Sequence, residues 1–416
     1  MILALAMGAA AVCQAADAQA PQNQSAFSFN EWLPGCFMLF DAEREHAENP
    51  WVQEVSFRFR PQYQWGYMDP AGGADRVKGC SDGNGRRGND EWRRFRIGGK
   101  AKVLKHLVLF TDWDIGGLDQ RHKYSGGTWQ RSRGKTGVYE LYVQGDFKPV
   151  TITLGKQKPA FIGEYRTSDS QILTIERSNL VNQLTAESLY GLDFRNSDKK
   201  APLGWELGVW VNAQHDGLWK EPAFCSSGNV MVAGGLSYAT SDHSRLYLDY
   251  MHSFYNEGRD LDPGISMQGP GARDVVALTW TLKKDAFNLM VEGMAGFNCT
   301  GANGKKEGAE NVAGLSLIPS YRISPHWEAV CRYQLAAGSN AVDAYSRYAT
   351  TNSAYSSVSD MLQGFYLGVN YYVNPDKPDM IRVMIGAEYQ DSAGTDAKGA
   401  KGFTGWQYGA ALRANF

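Results

Sequence analysis

The stretch Glu54–Tyr67 reads EVSFRFRPQYQWGY, and it alternates residue by residue. Val55, Phe57, Phe59, Tyr63, Trp65 and Tyr67 fall on one face. Ser56, Arg58, Arg60, Gln62 and Gln64 fall on the other. A period of two belongs to an extended strand with one apolar and one wet side. A helix would place its apolar residues three and four apart, and this stretch does not.

The same reading extends along the chain. Alternation recurs at 90–103, 106–115, 137–145, 149–157, 188–195, 203–213, 229–240 and 243–253. It continues at 272–284, 286–297, 312–322, 326–337, 361–373, 379–390 and 403–416. With 54–67 this predicts an all-β chain of about sixteen strands. The connections alternate between short and long. Leu104-Lys105, Ser241-Asp242, Asp285 and Ser324-Pro325 mark short ones. The stretches near 68–89, 116–136, 158–187, 214–228, 254–271, 298–311, 338–360 and 391–402 are long and polar. This rhythm describes a transmembrane antiparallel β-barrel with short periplasmic turns and long extracellular loops. Lipid offers no hydrogen bonds, so such a sheet must close on itself. A soluble sandwich shares the alternation but does not explain a lipid-like face on every strand. Trp65, Tyr67, Trp92, Trp113, Trp280, Phe297, Trp327, Tyr371 and Trp406 lie near strand ends, as interfacial girdles require.

The two ends of the chain carry their own signals. Residues 405–416, GWQYGAALRANF, continue the alternation to Phe416. Such a strand, with an aromatic end, resembles the signal that barrel-assembly machinery reads. Residues 1–20 are apolar and small and end in Ala18-Gln19-Ala20, which predicts a secretory signal. Residues 21–53 break the rhythm and are expected to be a periplasmic leader, with a short helix or an extra strand within FMLFDAEREHAENPW. The barrel is assigned to 54–416. The net charge of −2 gives no polybasic signal for nucleic acid. No zinc spacing, catalytic-serine elbow, HExxH or phosphate loop occurs, so neither a cofactor nor an enzyme is expected. Cys225 and Cys299 fall in outer loops and could pair, with Cys80 an equal rival.

Three stretches carry a family likeness. They are EWRRFRIGGKAKV, then YELYVQGDFKPVTITLGKQKPAF, then LTIERSNLVNQL with LYGLDF. Together they resemble the phosphate-selective porin O and P family. The matching residues are Arg93, Arg94 and Arg96, then Gly155, Lys156, Lys158, Pro159 and Phe161, then Glu176 and Arg177. One residue separates Pro159 from Phe161, where the family pattern has none. The resemblance implies a sixteen-stranded homotrimeric outer-membrane channel whose third long loop narrows the pore. Its family includes members without phosphate selectivity.

If the apolar faces meet lipid, the other faces line water. Arg58, Arg60, Arg94, Arg96, Lys100 and Lys102 then form a cationic stripe on adjacent strands. A narrow channel focuses such a field on small anionic solutes. A guanidinium also matches phosphate oxygens and keeps its charge. Asp112, Asp114, Glu140, Asp249, Glu292, Glu328 and Glu388 project inward by the same parity, with Arg245, Lys283, Arg322, Arg332, Arg382 and Arg413 against them. That mixture also fits a general porin with a transverse field. The 158–187 loop is the expected constriction, with Lys158, Arg166 and Arg177 as its candidate residues.

Overall fold

The computed structural model describes residues 35–43, 49–71, 88–116, 120–125, 128–133, 136–198, 200–215, 217–223, 230–254, 265–267, 269–299, 310–344, 348, 358–394 and 402–416. The predicted signal, Cys80 and Cys225 lie outside them. Cys299 is a buried thiol among the described residues.

The strands run β1 (Met38–Asp41), β2 (Val52–Pro70), β3 (Gly88–Val103), β4 (Leu107–Asp114), β5 (Gln120–Ser125), β6 (Thr128–Arg133) and β7 (Gly137–Asp146). Next come β8 (Val150–Gln157), β9 (Leu189–Asn196), β10 (Leu203–Val211), β11 (Ala213–His215), β12 (Val230–Ser241), β13 (Ser244–Ser253) and β14 (Ile265–Met267). The last are β15 (Ala272–Lys284), β16 (Phe287–Cys299), β17 (Glu310–Arg322), β18 (Trp327–Asp343), β19 (Val358–Tyr372), β20 (Ile381–Ala393) and β21 (Gly405–Ala414). Sixteen of them close an antiparallel barrel, and β1 joins the same sheet as a seventeenth strand. Each predicted segment coincides with a barrel strand. The pairs β5–β6 and β11–β14 are small separate sheets in long loops.

The seam explains the irregular leader. Strand β21 pairs with β2 only from Gln62 to Pro70. The lower half of β2 would otherwise present open N–H and C=O groups, which membranes and sheet edges do not tolerate. Strand β1 fills that gap, pairing Met38 with Ser56 and Asp41 with Glu54. Phe416 N and O exchange hydrogen bonds with Phe59. The Phe416 ring stacks on Phe37 at 5.3 Å and on Phe59 at 6.4 Å.

Parity sorts the two faces. Leu109, Leu141, Leu154, Leu207, Leu248, Leu278, Leu315, Leu367 and Ile385 stand exposed on the outside. Gln62, Gln64, Asp112, Asp249, Glu292, Gln334 and Glu388, on the opposite parity, are buried. What covers these inward polar groups is the stretch between β8 and β9.

Candidate functional site

Residues 158–187 hold two short helices, α1 (Gly163–Arg166) and α2 (Asn179–Leu184), and they fold into the barrel. One side of this loop is apolar. Phe161, Ile162, Leu180, Val181 and Leu184 share a buried cluster with Trp210, Met231, Met251, Met294 and Ala336 of the barrel wall. Burial of each such large side chain is worth about 1.5–3 kcal/mol. Phe161 meets the edge of Trp210 at 5.6 Å. The free amides at the start of α1 find wall acceptors: Ile162 N donates to Asp249 at 2.9 Å, and Glu164 N donates to Glu292 at 3.0 Å. Gly163 N donates to Thr279 at 3.2 Å, and a Cβ at Gly163 would lie 2.2 Å from the Thr279 methyl. Only glycine fits there.

The other side of the loop is irregular backbone at membrane depth, and its carbonyls need protein donors. Arginines supply them. Arg382 donates to Ser170 O at 2.6 Å. Arg413 donates to Asp169 O at 3.3 Å and Ile172 O at 3.2 Å. Arg332 donates to Glu176 O, and Asn370 donates to Leu173 O. Arg332, Arg382 and Arg413 are therefore clamps on the loop.

The predicted stripe divides in two. At mid-height, Asp169 of the loop gathers Arg94 Nε at 2.9 Å, Arg96 Nη1 at 3.2 Å and Arg177 Nη2 at 2.8 Å. Burial alone would raise the Asp169 pKa, but Arg94, Arg177, Lys158 and Arg96 together hold it well below the ordinary carboxylate value. Arg93 binds both oxygens of Glu176, at 2.7 and 3.2 Å. Burial opposes ionisation of Glu176 as well. The Arg93 charge and hydrogen bond, with Arg94 and Gln64, bring it down to about 2. Arg93 reaches inward because the register shifts there: Gln62 pairs with Arg94 and Tyr63 with Trp92. Strict alternation would send Arg93 to lipid. The Arg-Arg doublet is the one sequence mark of this bulge.

Nearer the periplasmic turns the stripe stays open. Arg60 is buried and donates to Asn415 at 3.2 Å. Arg58 is half-buried, 4.8 Å over the Phe110 ring. Lys100 pairs with Glu54 at 3.0 Å, and Lys102 is exposed. In the loop, Lys158 lies 4.0 Å over the Tyr165 ring and donates to Thr167 O at 3.4 Å. Burial, then the Arg177 charge, push its pKa down to about 7. Arg166 crosses to the far wall and binds Glu206 at 3.1 Å and Asp249. Lys156 is buried and donates to Gln214 at 2.7 Å.

The far wall, β9 to β13, carries cations that the stripe omitted. Arg195 at the lower end of β9 and Arg245 on β13 are half-buried. Parity alone marks Arg245 as inward. Arg195 is the last residue of its predicted segment, where parity is least distinctive. Many inward acids are withdrawn from the lumen, as the clamp arginines are. Asp112, Asp193, Asp249, Glu292, Glu328 and Glu388 are each no more than 2% exposed.

Comparison with known proteins places this architecture. Residues 67–245 match the family model of phosphate-selective porin O and P. OmpF of Salmonella typhi, solved with daunomycin, is similar at 13% identity and a TM-score of 0.57, over 87% of this chain and 98% of that one. The outer-membrane channel DcaP of Acinetobacter baumannii is similar at 12% identity and a TM-score of 0.55, over 87% and 97%. OmpT of Vibrio cholerae in its trimer form is similar at 11% identity and a TM-score of 0.51, over 87% and 99%. No curated protein matches the chain. Over residues 67–245 the chain is similar to phosphate-selective porins O and P, and its barrel is that of a channel of the bacterial outer membrane.

Proposed function

We propose that this porin passes small anionic solutes, phosphate among them, by passive diffusion. The observation that carries the reading is an inequality of exposure. On the periplasmic side of the loop, Arg58, Lys100, Lys102, Arg195, Arg245, Lys283 and Arg322 keep exposed or half-exposed side chains. The acids that keep comparable exposure there are fewer: Glu54, Glu140, Asp146, Glu206 and Asp379. A solute in the lower lumen therefore meets cationic ends more often than anionic ones. In a low-dielectric tube that difference sets ion preference.

A second reading is a general porin without selectivity. It is favoured by Asp169 and Glu176, which neutralise the middle of the predicted stripe. Reversal potential across a planar bilayer in a KCl gradient separates the two. Anion preference supports the first reading, and cation preference removes it.

The remaining parts of the proposal concern assembly. Residues 1–20 act as a cleaved export signal, and the barrel-assembly machinery inserts residues 54–416 into outer-membrane lipid. Three copies associate, as one structural neighbour does in its trimer form. Crosslinking in native membranes tests the trimer; a monomer as the sole species would count against it.

A further inference from the structure

A cavity of about 290 Å³ lies between the start of the inward loop and the wall β9–β13. Its size is near the lower end of ligand pockets, which span about 300–1,000 Å³. Two glycines open it. A Cβ on Gly204 would lie 2.5 Å from Ser237 Oγ and 3.4 Å from both Arg245 Nη1 and Asn196 Oδ1. A Cβ on Gly235 would lie 3.1 Å from Arg166 Nη2. Any larger residue would fill the alcove or displace its polar rim.

The charges around the alcove are unequal. Arg166 is already held by Glu206 and Asp249. Arg245 differs. Its Nη1 donates to Ser237 Oγ at 2.9 Å and its Nη2 to Ala201 O at 2.7 Å, both neutral acceptors. Among the described residues no carboxylate forms an ion pair with Arg245. Arg195 donates to Gln144 at 2.9 Å and has only a long ion pair, 4.0 Å, with Asp193. Each guanidinium has further N–H groups, and charge-assisted bonds to an oxyanion are the strong use for them. Neutral partners fix the direction of Arg245 without quenching its charge. This is the reverse of Arg94 and Arg96, which a loop carboxylate neutralises.

We propose that this alcove is a binding subsite for a small organic anion, whose oxyanion group is held by Arg245 and Arg195. The space left by Gly204 and Gly235 takes the few-carbon body. The proposal rests on the anion-channel reading and locates its selectivity on β9–β13 rather than on β2–β3.

The test uses the full chain in planar bilayers, with succinate added from the periplasmic side and block of the KCl current recorded. Arg245→Gln keeps a partner for Ser237 but removes the charge. It should raise the succinate concentration for half-block about tenfold, as expected for loss of one charge-assisted contact. Arg245→Lys should recover part of that loss. Gly204→Ala should weaken succinate block without removing any charge. Should Arg245→Gln fail to form channels, Arg195→Gln and Gly204→Ala carry the test. Equal half-block in the wild type and in these variants overturns the subsite. Inorganic phosphate blocking as strongly as succinate in every variant overturns the organic class. Reversal potential on the same membranes separates the two levels: anion-selective channels with unchanged block reject the subsite alone, while cation-selective wild-type channels reject the function as well.

Discussion

The lumen has two cationic walls, and they meet different fates. On β2–β3, Arg93, Arg94 and Arg96 are bound by Glu176 and Asp169 of the inward loop. On β9–β13, Arg245 is oriented by a hydroxyl and a carbonyl, and Arg195 by an amide. Both walls read as inward cations. Of these two clusters, only the second presents charge that a passing solute can use. Facing the lumen is a local property of the strand. Availability depends on what folds against it.

The largest effect should come from breaking the neutralised wall. Asp169→Asn leaves Arg94, Arg96 and Arg177 buried without their shared partner. Removing one member of a buried ion cluster costs about 3–5 kcal/mol. The loop should loosen, single-channel conductance should rise, and the folded barrel should melt at lower temperature. Unchanged conductance and melting would show that the loop is held by its apolar side alone.

A smaller effect is expected from the open wall. Arg195→Gln and Arg245→Gln should each lower the anion-to-cation permeability ratio severalfold while leaving the melting temperature close to wild type. A large loss of stability would instead make these residues structural.

The loop lysine gives a pH-dependent contrast. Lys158 has a pKa near 7, below its ordinary value, so the fold disfavours its charged form. That cost is fully present below about pH 7 and fades as pH rises toward the ordinary lysine value. Lowering pH from about 8 to 6 should therefore add a charge and raise anion preference. Lys158→Met should reduce the change. Asp169 and Glu176 do not titrate in that window, because their pKa values are depressed. Their contribution to docking is present above the ordinary carboxylate range. For Glu176 it is lost as pH falls through about 2.

The smallest effect concerns the seam. Phe416→Ala removes stacking on Phe37 and Phe59. Aromatic pairs contribute about 0.5–1.5 kcal/mol beyond burial. A modest drop in the heat resistance of the folded barrel is expected, with no change in selectivity. Altered ion preference would mean that the seam shapes the lumen.

The strands were legible because a half-lipid, half-water sheet writes period two into every segment from Glu54 to Phe416. Strand β1 was legible only as one of two alternatives, a short helix or an extra strand, since four residues are too few to show a period; its position follows from the unpaired half of β2. Parity alone does not place Arg93 inward, because a bulge adds one residue to its strand. The inward parity of Arg94 and Arg96 was readable, but their neutralisation was not. Asp169 lies 73 residues from Arg96 in the chain, and no local pattern announces that contact. Arg332, Arg382 and Arg413 read as lumen cations for the same reason, although they hold loop carbonyls.

Reversal potential of the Arg195→Gln/Arg245→Gln double variant in a KCl gradient tests this account most directly. If availability decides selectivity, anion preference should fall severalfold even though Arg93, Arg94 and Arg96 remain in place. Wild-type anion preference in that variant would contradict the account and return selectivity to the β2–β3 wall.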